Sequence, residues 1–297
     1  MTTTAVQRHP SRPAALITGA LIVPALVTAL AGCSTSSPTS TAVPPPPAPI
    51  QHFARAADLE GAIKTQILRD KTAATTTTAT MSVPGAAPSE LPGGEGAVSF
   101  AADGQDAHAF YPVIFEKSAP ALVEATVLAP DTGYVKPPAS MDFKLPAGKP
   151  WAGPFQLAEN AKGSRDQQMA LLATEVAKAA DPTYGFDTEL YGDDAAIIGV
   201  VDGDLDGVPV VKYSVSVDIA RAAERQTNQR RKQILLGHLK QGETSTDITV
   251  WVDVGNRPLR VSSRSGQPAR ITTVDVRYRD WGKPVTIAPP PAAETTP

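Results

Sequence analysis

Apolar positions in this chain recur with two different periods, and the period changes from segment to segment. Phe53, Ala56, Leu59, Ile63 and Ile67 stand three to four apart, which predicts an amphipathic helix over residues 53–68. The threonine-rich run 72–83 holds β-branched residues without helix formers and predicts a strand, against the competing reading of a glycan-bearing low-complexity segment. From Gly96 onward the pattern is that of hairpins. Residues 97–100 run into Asp103-Gly104 and on to 107–110. Leu122, Glu124, Thr126 and Leu128 alternate with Val123, Ala125 and Val127, and Pro130-Asp131-Thr132-Gly133 then reverses the chain into Tyr134-Val135. A proline-bearing loop, 136–150, ends at Trp151.

Ser164 lies three residues before Gln167, as in a capping box, and Met169, Leu172, Val176 and Ala179 follow at helical spacing until Asp181-Pro182. Segments 197–201 and 208–217 flank the turn 202–207, a second helix is expected over 219–239, and Ile248, Val250 and Val252 alternate before Gly255-Asn256 turns the chain into 259–263. Val274, Val276 and Tyr278 mark a final strand. Roughly eight to eleven strands in hairpin order with two or three helices predict an α+β fold, an antiparallel sheet with helices on one face.

Ahead of this domain, Arg8 and Arg12 precede an uncharged apolar stretch, 14–29, that closes on Leu30-Ala31-Gly32-Cys33. A basic start, a short apolar core and a small-residue cleavage site are the parts of a secretory signal. The ending looks like a bacterial lipobox: cleavage between Gly32 and Cys33 leaves Cys33 as the first residue, its sulfur carrying a diacylglycerol. The alternatives are an ordinary signal with a chance cysteine, or an uncleaved anchor. Against the anchor, the core is shorter than the about 20 residues a spanning helix needs, and Pro24 interrupts it. The expected organisation is a signal peptide over 1–32, a Ser/Thr/Pro-rich tether over 33–50, one domain over 51–287 and a frayed tail over 288–297. At about 3.1 Å per proline-rich residue the tether spans up to roughly 50 Å. The protein would sit on the outer face of the cytoplasmic membrane, held there by acylated Cys33.

Composition narrows the chemistry. The 27 Lys and Arg, less Arg8 and Arg12 of the signal, stand against 30 Asp and Glu, so the mature chain carries −5 and no nucleic-acid footprint. Cys33 is the single cysteine, and once acylated it leaves no thiol for disulfides, thiolate metal sites or cysteine nucleophiles. Asp202-Gly203-Asp204-Leu205-Asp206-Gly207 opens like a calcium loop, yet Tyr213 stands where the closing glutamate belongs, and an Asp/Gly turn explains the same letters. His9, His52, His108 and His238 show no zinc spacing, and no hydrolase elbow, Walker loop or dinucleotide fingerprint occurs. Neither a metal, a cofactor nor an enzymatic activity is therefore expected. The basic stretch 221–240 reads either as a face for anionic headgroups or, more simply, as a solvated helix exterior.

The C-terminal third carries a resemblance. Asp206-Gly207-Val208 leading to Lys212-Tyr213-Ser214-Val215-Ser216-Val217-Asp218, the hairpin Val250-Trp251-Val252-Asp253 through Arg257-Pro258-Leu259-Arg260-Val261, and the closing Tyr278-Arg279-Asp280-Trp281-Gly282-Lys283-Pro284-Val285-Thr286-Ile287 resemble motifs of the LppX/LprA/LprF/LprG family of actinobacterial lipoproteins, related in fold to the LolA/LolB carriers. Gly133-Tyr134-Val135-Lys136 and Lys149-Pro150-Trp151 fit the layout more loosely, and the N-terminal half departs most. The resemblance implies a curved antiparallel half-barrel whose concave face is closed by helices, with an apolar cavity between them for acyl chains of a lipid or glycolipid. Leu172, Val176, Leu235 and Leu236 are the expected pocket-lining residues, and only the acylation position, Cys33, transfers directly. The alternative function is a LolA-like sensor or regulatory module that binds a membrane protein.

Overall fold

The computed structural model describes residues 51–296 apart from 102–103, 114–120, 139–142, 158–164, 241 and 268–269. The signal peptide, Cys33 and the tether lie outside the described residues, as does Ser164 of the capping box. One curved, open sheet dominates. Its strands are β1 (Thr72–Ser82), β2 (Ser89–Ala101), β3 (Gly104–Val113), β4 (Ala121–Leu128), β5 (Thr132–Lys136), β6 (Trp151–Gln156), β7 (Ala195–Leu205), β8 (Val208–Asp218), β9 (Ser245–Asp253), β10 (Pro258–Gln267), β11 (Arg270–Arg279) and β12 (Thr295–Thr296). The order across the sheet is β12-β6-β5-β4-β3-β2-β1-β11-β10-β9-β8-β7. Consecutive strands pair as antiparallel hairpins, and the pairing of β1 with β11 joins the two meanders at the middle. β12 and β7 each have one neighbour, so the sheet never closes into a barrel.

Helices α1 (Ala56–Asp70), α2 (Arg165–Ala179), α3 (Thr188–Tyr191), α4 (Ile219–Arg225) and α5 (Gln229–Lys240) cover one face. The α+β class therefore stands, with more elements than the pattern predicted. α1 buries Leu59, Ile63 and Ile67, the expected stripe, against that face. No helix among the described residues is long and apolar enough to cross a membrane.

Four expectations need correction. The helix expected over 219–239 is two helices, broken at 226–228, because the Gln226 side chain donates to the carbonyls of Glu189 and Leu190 and the Asn228 side chain accepts from Arg231 N at the start of α5. The hairpin pattern expected from Gly96 onward begins earlier, because β2 already starts at Ser89. β6 was missed altogether, since WAGPFQ has no period of two and holds Gly and Pro. Finally, the expected tail at 288–297 is not wholly frayed: residues 292–294 form a 3-10 turn, and Thr295–Thr296 add a parallel strand to β6 at Trp151 and Ala152. β-Branched threonines suit that edge position.

The Asp-rich segment 202–207 is the end of β7 and a two-residue turn. Asp206 and Gly207 have φ of 55° and 85°, as a hairpin turn of mirror-image type requires. Its aspartates diverge: Asp202 pairs with His52, Asp206 with Arg277, and Asp204 accepts from Gly207 N.

Candidate functional site between the sheet and α5

Alternation along antiparallel strands puts one set of side chains of β1, β9, β10 and β11 toward the helices. The register aligns Ile248, Ser263, Val274 and Ala79 in one inward row, and Val250, Val261, Val276 and Thr77 in the next. Both ends of each row are buried, Ile248 and Ala79 at 1% and 2% exposure. At their centres Val276 is buried too, but Val261, Ser263 and Val274 are only half-buried, although β10 and β11 have neighbours on both sides. Solvent therefore reaches the middle of the inner face from the helix side. α5 packs on α4 and is not laid along any strand, and its Leu236 and Leu239 are half-buried, while Leu235 is sealed in the core.

The other half of the interior is shut. α2 turns Ala170, Ala173 and Ala177 toward strands that offer Ala107, Ala109, Ala125 and Gly133, all in one apolar cluster with Val176. Small residues on both sides let helix and sheet approach closely; a Cβ at Gly133 would stand 3.0 Å from that of Ala173. Tyr213, Phe186 and Ile248 fill further space. The large apolar cavity expected from the resemblance is therefore reduced, among the described residues, to the uncovered strip over β10 and β11.

Polar groups gather inside the helical cover. Tyr111 points inward at the end of β3, opposite buried Val123. Burial, with the nearby Glu175 and Glu243 carboxylates, pushes its phenol up to about 12. The Tyr184 hydroxyl donates to Glu175 at 2.8 Å, and Lys178 reaches the other carboxylate oxygen at 3.1 Å. Burial also drives the Tyr184 and Tyr191 phenols far above their ordinary range. His238 holds Glu243 at 2.7 Å. On β11, Thr272 faces the interior with 6% exposure, and its hydroxyl has no hydrogen-bond partner. Neutral hydroxyls therefore outnumber free charges here, because Lys178 and His238 each already hold a carboxylate.

A hydroxyl–imidazole–carboxylate chain does occur elsewhere. Thr126 Oγ1 lies 3.0 Å from His108 Nδ1, and Glu124 lies 3.5 Å from His108 Nε2. It sits on the opposite face, and Thr126 is 2% exposed, so that hydroxyl cannot meet a substrate. Burial holds the His108 imidazole below its ordinary value. A separate shallow cleft of about 410 Å³ lies where the chain enters the domain, walled by His52, Phe53, Ala54, Val200 and Asp202.

Of the expected lining residues, Leu172 and Leu236 are half-buried and border the core, whereas Val176 and Leu235 are fully buried within it. Gly32 and Cys33 lie outside the described residues. Val261, Ser263, Val274 and Tyr111 were missed. A signal existed in the alternation of β10, which places serines at the inward positions 263 and 265. The arginines of the basic stretch are mostly engaged: Arg221 and Arg225 hold buried Asp194 at 3.1 and 3.0 Å, and Arg231 pairs with Glu189.

No protein-family model matches the chain, and no curated protein does. Solved structures do. The chain is similar to LprF from Mycobacterium bovis, at 16% identity and a TM-score of 0.36, over 80% of this chain and 99% of that one. It is similar to the lipoprotein LppX of Mycobacterium tuberculosis at 14% identity and a TM-score of 0.36, over 78% and 99%. A LolA superfamily protein from Nitrosomonas europaea matches at 9% identity and a TM-score of 0.24, over 77% and 95%. The first two carry names from the family that the C-terminal motifs resemble.

Proposed function

We propose that this protein is an envelope lipoprotein, anchored through acylated Cys33 on the outer face of the cytoplasmic membrane, that binds the acyl chains of a lipid or glycolipid as a carrier. The observation that carries the proposal is the half-burial of Val261, Ser263 and Val274 on the inner face of strands that have neighbours on both sides. An apolar strip reached by solvent inside a fold gains about 0.8 kcal/mol for each methylene that covers it. The unpartnered hydroxyl of Thr272, on the same face of β11 as Val274, suits the polar end of such a ligand, and the lipobox supplies the anchor.

Mass spectrometry of organic extracts from the intact, folded protein tests the reading. Lipid beyond the Cys33 modification is expected, with at least a fivefold loss in a Val274→Trp variant that keeps its melting temperature. Lipid-free extracts, with no uptake of a fluorescent lipid, would sink it. The close seating of α2 favours one second reading, a module that binds a membrane protein through its surface. Specific recovery of such a protein by the lipid-free chain would select that reading.

A further inference from the structure

Of the eight exposed large apolar side chains among the described residues, four sit on the β7–β8 hairpin: Ile198, Val200, Val201 and Val208. Ile198 and Val201 are 67% and 61% exposed, the highest of the eight. β7 is also a bare edge. Among the described residues it pairs with β8 on one side and with no strand on the other, whereas at the opposite edge only the two residues of β12 stand outermost. Exposed edges are commonly blunted by lysine or proline, and β7 has neither; its one irregularity is a bulge between Ile197 and Gly199.

The charges at its two ends differ in sign. Where β7 begins, Arg221 and Arg225 lie 3.1 and 3.0 Å from Asp194, and Arg55 lies 4.0 Å from Asp193, three guanidinium groups to two carboxylates. Where it ends stand Asp202, Asp204 and Asp206, of which Asp204 has no cation beside it among the described ion pairs. An apolar middle between ends of opposite charge is self-complementary under a two-fold axis, because antiparallel pairing sets each acidic end against the basic end of the other copy.

We propose that β7 is the pairing edge of a homodimer, with Val200 on the two-fold axis and the sheets of two copies joined antiparallel. In that register Asp204 of one copy faces Ala196 of the other, near its arginines. Ile198 faces Asp202, at the mouth of the cleft walled by His52, Phe53, Ala54 and Val200. A lipid surface fits this edge less well. Its unpaired backbone groups would find no partner in hydrocarbon, and its aspartates oppose anionic headgroups. The inference is independent of lipid binding.

Cysteine cross-linking of the intact protein in its membrane tests it. Val200→Cys on an axis brings two side chains to about 4.5–5.5 Å between Cβ atoms, within reach of a disulfide. Under mild oxidation, Val200→Cys should give at least tenfold more covalent dimer than Glu95→Cys, at an exposed site away from this edge. Adding Val201→Lys should abolish it, with urea melts showing all three variants folded. The unsubstituted protein run alongside reports any dimer formed through Cys33 itself. Equal dimer from Val200→Cys and Glu95→Cys would overturn the proposal. So would quenching of a probe at position 198 by nitroxide lipids without cross-linking, which would assign the edge to the bilayer.

Discussion

Asp70 ends α1, where the helix dipole disfavours a carboxylate. It is held there by Arg257 from the β9–β10 turn, whose Nε and second terminal nitrogen lie 2.6 and 3.2 Å from its two oxygens, with Gln66 donating at 2.9 Å. The Arg257 hydrogen bond, above all, holds the Asp70 carboxyl below its ordinary value of 3.8, against the opposing effect of burial. A carboxylate with a depressed folded-state pKa stabilises the protein above its unfolded value, and the benefit is lost as pH falls through the folded one. Asp70→Asn should therefore cost about 1–3 kcal/mol in urea unfolding at pH 7. The difference between variant and parent should shrink as pH falls below about 4. A gap that stays constant down to pH 2 would show that the charge is not what matters.

At the scale of elements, the seat of α2 is decided by the absence of side chains. A Cβ at Gly133 would stand 2.6 Å from Leu157 Cδ2 and 3.0 Å from Ala173 Cβ. Leu157 can swing aside, but α2 has to rise. Gly133→Ala should destabilise the protein by about 1–3 kcal/mol, read as a lower melting temperature, while widening the space over the sheet. An unchanged melting temperature would mean that the contact is softer than its geometry. The same residues mark how far sequence reasoning carries. α1, β4, β8, β9 and β11 were legible because their apolar periods match the face they bury, β1 because its run of threonines is β-branched, and the turns at Asp206-Gly207 and Gly255-Asn256 because the letters specify the conformation. β2 was half hidden: Gly94 and Gly96 look like loop residues but serve close approach, since a Cβ at Gly96 would meet the His108 carbonyl oxygen at 2.2 Å. β6 and β12 exist through pairing with distant strands, which leaves no local pattern. α2 was found as a helix, but its buried face runs along Ala170, Ala173 and Ala177, with Leu171 50% exposed, because the facing strands are small-residued. The candidate site shows the same division. The part of its apolar floor on β11 was legible, whereas the half-burial of Val261 and Val274 depends on how the helices cover the sheet, which no period records.

For the whole molecule, the proposed attachment and the domain are separable. Cys33 precedes a proline-rich tether, and the lipid-binding proposal rests on residues from β10, β11 and α5. Cys33→Ala should move the protein from the membrane pellet to the soluble extracytoplasmic fraction without altering the melting temperature of the domain. Equal retention in the pellet would show that something other than the acyl group holds it there.

The alanine seat of α2 has a mechanical meaning. Ala170, Ala173 and Ala177 let the helix lie close to the sheet, while Met169 and Val176, fully buried on the same helix, key it into the core. Raising α2 would expose Met169 and Val176 as well as the three alanines, at about 1.5–3 kcal/mol for a large apolar side chain brought fully into water. On the proposed lipid-binding reading, an acyl chain therefore enters over the half-buried strip and leaves α2 seated.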